Sequence, residues 1–501
     1  MSNTPNKRLA DHTSILVFSR GIRMVLSLVP GIFLARMLTK AEYGTYQQVM
    51  LIAQFIAIFI PLGIPSSLYF FIPKDKVNQR NIIIQTGFTL LFLAALGCII
   101  VYVFRFEIAM FFNNMMLAVL IYFVLGVIFS QTLDRIIDVL ILIDKAVALA
   151  LSQIIDGLFI LLSFLAILYY WGNIKGLFLA LIIIKIARLI YVAWCGYKLP
   201  YTKKFRFDFN FFKSQFQYSL PLAAATLTLL IGKEIDKAIV SHFLPIEEFA
   251  VYGRGAMELP IATIITASVT SMLAALFVQK LSDGDYNSFV KLWHDAVRIV
   301  ALILFPIFIY FVLVSNEFIT LMYSDAYAGS TPVFLCYLCL LPTQITAFDA
   351  IIRYAGKTRI ILFVSGMVVC VNIILSLILV KNIGAIGPAI ATMISNGLIL
   401  PISYIIYISK FTGISFKSIL PWRKLGAIML FSILSGLLAL LCKLFLQTKL
   451  IVLMSCFGVF VATYPLLIWK TGLLNSAEKI YCKEKIVQIV SNFSFVYKKN
   501  I

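Results

Sequence analysis

Thr39-Lys-Ala-Glu-Tyr-Gly-Thr-Tyr46 and Pro245-Ile-Glu-Glu-Phe-Ala-Val-Tyr252 share an acidic and aromatic pattern that decides how this chain is organised. They lie in longer segments, Leu34 to Lys74 and Val240 to Lys280, which align without a gap at an offset of 206 positions, pairing Tyr46 with Tyr252. In both copies an apolar run of helix length ends in the turn and a second apolar run follows. The pattern predicts two related halves, each beginning with a helical hairpin.

The composition is that of a protein embedded in lipid. Of 501 residues, 61% are hydrophobic and 13% are charged, whereas a soluble domain has about 25% charged residues. Polar residues collect between apolar runs of about 20 residues, the length of a helix that crosses the hydrocarbon core. Helices satisfy their own backbone groups in lipid, and the alternating segments of a transmembrane barrel are absent. We therefore predict an all-α integral membrane protein with about 14 transmembrane helices.

The repeat and the apolar runs together predict the domain organisation. Two six-helix lobes are expected, a cytoplasmic amphipathic linker between them, two additional helices and a cytoplasmic tail. Six is an even number, so the lobes have the same orientation, and such parallel repeats enclose a central cavity. In chain order, the predicted ranges are 1–197 for the first lobe, 198–216 for the linker, 217–409 for the second lobe, 410–471 for the two additional helices and 472–501 for the tail.

The net charge of +20 follows the predicted membrane topology. If the N-terminus is cytoplasmic, most lysines and arginines fall in internal segments, as the positive-inside rule requires. The even helix count then places the C-terminus in the cytoplasm as well. Contact with anionic lipid headgroups accounts for this charge, so we expect membrane lipids and no nucleic acid as partners.

Several charged residues lie inside the predicted spans, where each costs at least about 2.5 kcal/mol unless it is paired or hydrated. A cavity lined by cations suits an anion, and the guanidinium group matches phosphate oxygens in two-point fashion. Buried acids are candidates for ion coupling or for pairs in the lumen. The candidate cations are Arg20, Arg23, Lys185, Arg188, Lys233 and Arg254, and the candidate acids are Asp156, Asp236 and Glu258.

A structural interpretation exists for some of these charges. Ion pairing within one helix is possible by spacing for Arg254 with Glu258, Lys233 with Asp236, and Lys237 with Glu234. Lys237, Arg254 and Arg298 are also candidates for reaching the interface with a long side chain. For Arg20 with Arg23 and Lys185 with Arg188 no acid lies within a helical turn, which favours a wet cavity for those two pairs.

Signatures of catalysis are absent from the sequence. The three histidines offer no metal-ligand spacing, and no Gly-x-x-x-x-Gly-Lys loop is present to bind phosphates. Cys336-Tyr-Leu-Cys339 lies in an apolar run, and we interpret it as structural. We expect neither an enzyme nor a metal or other cofactor.

The order of short motifs resembles that of a known family. Leu34 to Tyr46 is similar to the first external turn of Wzx-type polysaccharide flippases, the polysaccharide biosynthesis branch of the multidrug/oligosaccharidyl-lipid/polysaccharide exporter superfamily. Tyr218-Ser-Leu-Pro221, followed by Asp236-Lys237 and Glu248-x-x-x-Tyr252, resembles the opening of the second lobe. Gly384 and Gly387 with Pro388-Ala-Ile-Ala391 resemble the twelfth helix, so the resemblance covers nearly the whole chain.

This resemblance implies a fold like that of the multidrug exporters of the superfamily. It also implies a flippase that moves polyprenyl-diphosphate-linked oligosaccharides from the cytoplasmic to the outer leaflet of the bacterial cytoplasmic (inner) membrane by alternating access. The candidate cations would contact the diphosphate. A polysaccharide polymerase and glycosyltransferases of the same pathway are the implied protein partners.

Three other functions remain open. A multidrug or metabolite exporter coupled to Na⁺ or H⁺ would favour acidic residues in the lumen, whereas the excess here is basic. A lipid II flippase shares the cationic cavity and the two additional helices, but the Glu-Tyr-Gly turn is closer to the polysaccharide branch. An integral-membrane glycosyltransferase or polymerase would need a large external loop, and the longest external segment, about residues 315–330, has only Glu317 and Asp325 as acids.

Overall fold

The computed structural model describes residues 21–22, 26, 29–74, 79–134, 146–170, 174–197, 207–475 and 478–480. Within these ranges every regular element is a helix. The predicted all-α fold is confirmed.

The helices are numbered in chain order from the first described one. The N-terminal group is α1 (residues 29–37), α2 (Lys40–Phe59), α3 (Ile64–Lys74), α4 (Gln79–Val103), α5 (Arg105–Phe111), α6 (Met116–Asp134), α7 (Ala146–Tyr170) and α8 (Ile174–Tyr197). The middle group is α9 (Phe209–Phe243), α10 (Ile246–Gly255), α11 (Pro260–Ser282), α12 (Tyr286–Leu313), α13 (Ser315–Tyr323), α14 (Ser330–Leu338) and α15 (Phe348–Tyr354). The C-terminal group is α16 (Thr358–Ile383), α17 (Ile386–Ile394), α18 (Leu400–Thr412), α19 (Phe416–Ile419), α20 (Trp422–Phe445) and α21 (Lys449–Lys470).

Many of these helices have the length and composition of membrane spans. Seven described spans are long and apolar enough to cross a bilayer, or nine if each of two bent helix pairs forms one span. An integral membrane protein is thus confirmed, while the total of about 14 spans stays a prediction.

The chain forms two compact units by its internal contacts. Unit 1 comprises residues 1–256, 322–333 and 361–395, and unit 2 comprises 257–321, 334–360 and 396–501. The predicted lobe boundaries stay a prediction. The helix α9 is 35 residues long and begins at Phe209, within the range predicted for the linker, where the Asp208 carboxylate caps it by accepting from the backbone N–H groups of Asn210 and Phe211.

In unit 1 the first repeated hairpin packs closely on the second. The hydroxyl of Thr39 and the carboxylate of Glu42 form a capping box at the start of α2. At Gly44 the helix α2 meets α10, and a Cβ there would lie 2.5 Å from the carbonyl oxygen of Ile246. Glycine is therefore required for this close approach.

The helix α10 is short because the chain following it cannot continue the helix. It has ten residues and ends at Gly255, and Pro260 opens α11. Proline disfavours helical geometry in the residue before it and is tolerated in the first turn of a helix. Residues 256–259 therefore separate α10, in unit 1, from α11, in unit 2.

Unit 2 has its own apolar core, to which the two C-terminal helices contribute. The helix α20 packs on α12 and α21. A cluster of buried side chains, Val314, Ala439, Val452, Cys456 and Phe460, joins them. The two helices after the predicted repeat are thus an integral part of this unit.

Candidate functional site

Arg254 lies in a cluster of tyrosine rings within unit 1. Its guanidinium carbon is 4.5 Å from the ring centre of Tyr43 and 5.1 Å from that of Tyr323. Tyr327 packs edge-on against Tyr43 with ring centres 6.1 Å apart. Tyr43 and Tyr327 are fully buried. The negative faces of these rings attract the cation.

Gly31 makes room for this guanidinium. A Cβ built at Gly31 would lie 2.8 Å from Nη1 of Arg254, closer than non-bonded atoms can approach. The position of the Arg254 side chain therefore depends on a glycine in α1.

The Arg254 guanidinium has no carboxylate partner within 4.0 Å among the described residues. Its Nε atom and the hydroxyl groups of Tyr43 and Tyr327 are buried without a hydrogen-bond partner in the described part of the chain. A buried charge and buried donors without partners are costly. An anion bound here would satisfy all of these groups.

A cavity of about 270 Å³ adjoins this cluster inside unit 1. It is lined by residues of α1, α2, α7 and α8 together with Leu26 and Arg254. Those lining residues are Leu26, Pro30, Gly31, Leu34, Tyr46, Met50, Asp156, Gly157, Ile160, Phe164, Leu181 and Arg254. Tyr46 also stacks on Phe178, with ring centres 5.3 Å apart. The wall is mostly apolar, with one cation and one acid.

The acid of this cavity, Asp156, forms an ion pair with a neighbouring helix. Its Oδ2 atom lies 2.8 Å from Nζ of Lys185, and the two side chains are 1% and 13% exposed. The sequence suggested no partner for Lys185 within its own helix, and the structure supplies one from α7. Lys185 therefore neutralises Asp156, so the acid of this cavity does not compensate Arg254.

Of the remaining predicted cations, Lys233 is the one whose side chain the structure describes. Arg20 and Arg23 lie outside the described residues. Arg188 lies in α8, where the structure describes its backbone alone, and Lys233 is exposed on α9.

The other predicted acids have partners of their own. Asp236 is buried in α9 and accepts a hydrogen bond from the hydroxyl of Tyr252. Glu258 follows α10 and accepts from the side-chain amide of Gln344, at 3.3 Å in unit 2.

The structure decides two of the three pairs predicted within a helix. Lys237 and Glu234 form an ion pair with an N–O distance of 2.8 Å. Arg254 and Glu258 are not on one continuous helix, because α10 ends at Gly255. The prediction of an ion pair within one helix is therefore wrong for these two residues.

Sequence reasoning missed the tyrosines around Arg254. Tyr43 belongs to the first repeated hairpin, but Tyr323 and Tyr327 lie in the segment interpreted as an external loop. The only available signal was the recurrence of tyrosine in these short polar stretches.

Comparison with known proteins identifies the family of this chain. The family described as polysaccharide biosynthesis protein matches residues 33–332. An uncharacterized membrane protein of Methanocaldococcus jannaschii is 22% identical over 407 residues, which cover 76% of this chain and 92% of that protein. The teichuronic acid biosynthesis protein TuaB of Bacillus subtilis is 22% identical over 142 residues, 28% of this chain and 29% of TuaB.

Solved structures show the same fold. Lipid II flippase MurJ in an inward closed conformation superposes with a TM-score of 0.72 at 16% identity, covering 90% of this chain and 97% of MurJ. An inward-facing multidrug resistance MATE family transporter of the MOP superfamily superposes with a TM-score of 0.58 at 14% identity, covering 79% of this chain and 95% of that transporter. The family match extends over more than half of the sequence, so the chain belongs to the polysaccharide biosynthesis protein family.

Proposed function

We propose that this protein flips polyprenyl-diphosphate-linked oligosaccharide repeat units from the cytoplasmic to the outer leaflet of a bacterial cytoplasmic membrane. The single observation that carries the proposal is the guanidinium of Arg254, which is buried among tyrosines with no carboxylate partner in the described structure. Alternating access moves the polar head, while the polyprenyl chain stays in lipid.

A diphosphate is the anion that best fits this arrangement. Guanidinium binds phosphate oxygens through two parallel N–H donors, and such charge-assisted bonds are stronger in a site away from water. The unpartnered hydroxyls of Tyr43 and Tyr327, as described in this structure, supply two more donors beside the cation. Arg20, Arg23, Arg188 and Lys233 stay predicted contacts for the same group.

The Lys185–Asp156 ion pair would give the cavity a second cationic group. In the proposal its carboxylate holds Lys185 beside the cavity, and opening of the pair would free the ammonium for a phosphate. A cationic drug is disfavoured, because the lining acid Asp156 is already paired and the lining arginine repels a positive charge.

The test is transbilayer movement of a radiolabelled polyprenyl-diphosphate oligosaccharide in liposomes. Intact protein is compared with Arg254→Gln, with Lys213→Gln as a control for loss of an exposed cation of α9, and with empty vesicles. We expect movement that requires the protein, falls at least about tenfold in the Arg254 variant and persists in the Lys213 variant. Absence of movement, in vesicles that instead export a cationic dye, would contradict the proposal.

Energy coupling forms a separate part of the proposal. Asp156 and Asp236 are buried carboxylates, and Glu258 is the third predicted acid. We propose that these three groups couple transport to an ion gradient. The test combines the substitutions Asp156→Asn, Asp236→Asn and Glu258→Gln in one protein. Transport that keeps its full gradient dependence in this triple variant would overturn the assignment, while loss of the dependence alone would support it.

The proposal also includes membrane orientation and protein partners. Both termini are placed in the cytoplasm on the predicted charge asymmetry. A polymerase and glycosyltransferases of the same pathway are the proposed partners, since they make the substrate and consume the product.

A further inference from the structure

Unit 2 contains a second cavity, of about 390 Å³, whose polar groups differ from those around Arg254. Thr263, Thr266 and Thr270 line it from α11 at spacings of three and four residues, which places them on one face of the helix. Gln344 and Tyr354 also contribute to its wall. We call it the threonine cavity.

The hydroxyl groups of the three threonines use their hydrogens within the protein. Thr266 donates to the carbonyl of Gln344 and Thr270 to that of Thr266, both at 2.7 Å, and Thr263 donates to that of Pro260 at 2.9 Å. A hydroxyl that has donated its hydrogen still has lone pairs to accept with. The cavity therefore presents a row of hydrogen-bond acceptors to a ligand rich in O–H groups.

The charges around the threonine cavity are balanced or acidic. Arg353, which also lines it, forms an ion pair with Asp349 one helical turn away. The amide N–H of Gln344 donates to Glu258, and the amide oxygen of Gln344 has no donor among the described residues. A phosphate would meet no unpaired cation among the described residues of this wall, whereas a neutral polyol would meet acceptors on several sides.

Back-bonding of threonine hydroxyls to their own helix is common in membrane proteins and explains where the hydrogens go. It does not explain why three such residues share one face of an open cavity with an amide and a phenol. Convergent polar groups in a cavity are the usual mark of a ligand site.

We propose that the threonine cavity binds the saccharide part of the substrate, an inference that rests on the proposed transport of a lipid-linked oligosaccharide. Sugar hydroxyls donate to Thr266, Thr270 and the amide oxygen of Gln344. The diphosphate and the sugar are then recognised by chemically different sites, a cationic one in unit 1 and a neutral one in unit 2.

The probe for this site is the water-soluble oligosaccharide released by mild acid from the polyprenyl-diphosphate lipids of the source cells, radiolabelled at its reducing end. Equilibrium dialysis measures its binding to the full-length protein in detergent. Thr266→Val and Thr270→Val keep side-chain shape and remove the acceptor oxygen. We expect each to weaken binding about tenfold, the loss of one or two hydrogen bonds.

Thr412→Val is the matched control, because Thr412 is buried in unit 2 and its hydroxyl donates to the Ile408 carbonyl at 2.7 Å, but it does not line the cavity. Its binding should equal that of the unmodified protein. Excess inorganic pyrophosphate should leave saccharide binding unchanged. Thermal unfolding of each variant shows whether it is folded.

Two results would overturn the saccharide site: no binding of the oligosaccharide by the intact protein, or equal binding by the folded Thr266 and Thr270 variants. Lipid transport in vesicles is measured on the same preparations. Transport without saccharide binding would refute this inference alone, whereas saccharide binding without transport of any lipid-linked oligosaccharide would refute the proposed function and leave the site standing.

Discussion

Arg254 and Arg298 are two buried arginines, one in each unit, and their surroundings differ. Arg298 is 1% exposed in α12, and Nη2 lies 2.6 Å from the Glu478 carboxylate while Nη1 donates to the Leu473 carbonyl at 2.7 Å. Arg254 has tyrosine rings and no carboxylate among its described neighbours.

We interpret Arg298 as a cation that holds the structure together and propose Arg254 as the cation that binds a ligand. Arg298 ties the segment after α21 to α12, so its charge is compensated at all times. The described neighbours of Arg254 are tyrosines, whose ring faces are worth about 1 kcal/mol each. We therefore propose a binding role for the arginine in unit 1 and a structural role for the one in unit 2.

The largest effect on stability is expected from Glu478→Gln. Removing one partner of a buried pair leaves the other charge uncompensated, which costs about 3–5 kcal/mol in general. We expect about 3 kcal/mol in the free energy of unfolding, because the Leu473 carbonyl and Asp295, at 3.6 Å, remain beside Arg298. Thermal unfolding in detergent measures it.

Asp285→Asn is the control for Glu478→Gln. Asp285 pairs with Lys280 at 3.0 Å, but both side chains are about a third exposed, so the melting temperature should change little. Equal melting temperatures for Glu478→Gln and the unmodified protein would show that the Arg298 pair is not structural.

The same pair predicts a pH dependence. The hydrogen bond from Arg298 holds the pKa of the Glu478 carboxyl below its ordinary value. A carboxyl whose pKa is lower in the folded than in the unfolded protein adds stability to the folded state. This stability is complete above the pKa in the unfolded protein, about 4.3, and is lost as the pH falls through the pKa in the folded protein. The difference in melting temperature between the unmodified protein and Glu478→Gln should be constant from about pH 7 to 5 and shrink below about pH 4. A difference that vanishes already at neutral pH would contradict this.

Gly31→Ala tests whether transport requires the Arg254 guanidinium at its place among the tyrosine rings. Its Cβ would displace the Arg254 guanidinium, the far end of a flexible side chain, so stability should change little. Transport in vesicles should fall by less than about tenfold, or about 1.4 kcal/mol. Gly366→Ala is the control, because nothing lies within 4 Å of the added Cβ in the same unit, and equal transport by both variants would contradict the role of Gly31.

The smallest effect on stability is expected from Arg254→Met. Replacing this buried charge, which has no carboxylate partner among the described residues, by an apolar side chain removes both a desolvation cost and a cation–π contact. The free energy of unfolding should therefore change by less than about 1 kcal/mol or increase. Arg298→Met should destabilise the protein, because it leaves Glu478 without its partner. Similar losses of melting temperature in both variants would remove the distinction between the two arginines.

The sequence was sufficient for the helices, the family and Arg254 as a candidate. Apolar runs and the repeated turn depend on local chemistry, which is why the long apolar runs of the sequence are helices such as α4, α7 and α8 in the structure. Pro260 was a local signal for the end of α10 that hydropathy alone did not use.

Contacts between distant segments could not be predicted from the sequence. Tyr43 and Tyr327 meet across more than half of the chain, and Lys185 finds Asp156 on another helix rather than within a turn of its own. Arg298 and Glu478 lie 180 positions apart. Periodicity identifies which face of a helix is polar, but helix packing decides which polar groups meet.

The most direct measurement of the central claim is equilibrium binding of radiolabelled polyprenyl diphosphate, without sugar, to the purified protein and to Arg254→Gln. The account predicts saturable binding that weakens about 10- to 100-fold in the variant, the loss of one or two hydrogen bonds to a charged group. Binding should be unchanged in Lys213→Gln, which removes an exposed cation of α9. Equal affinity of the folded Arg254 variant and the unmodified protein would contradict it.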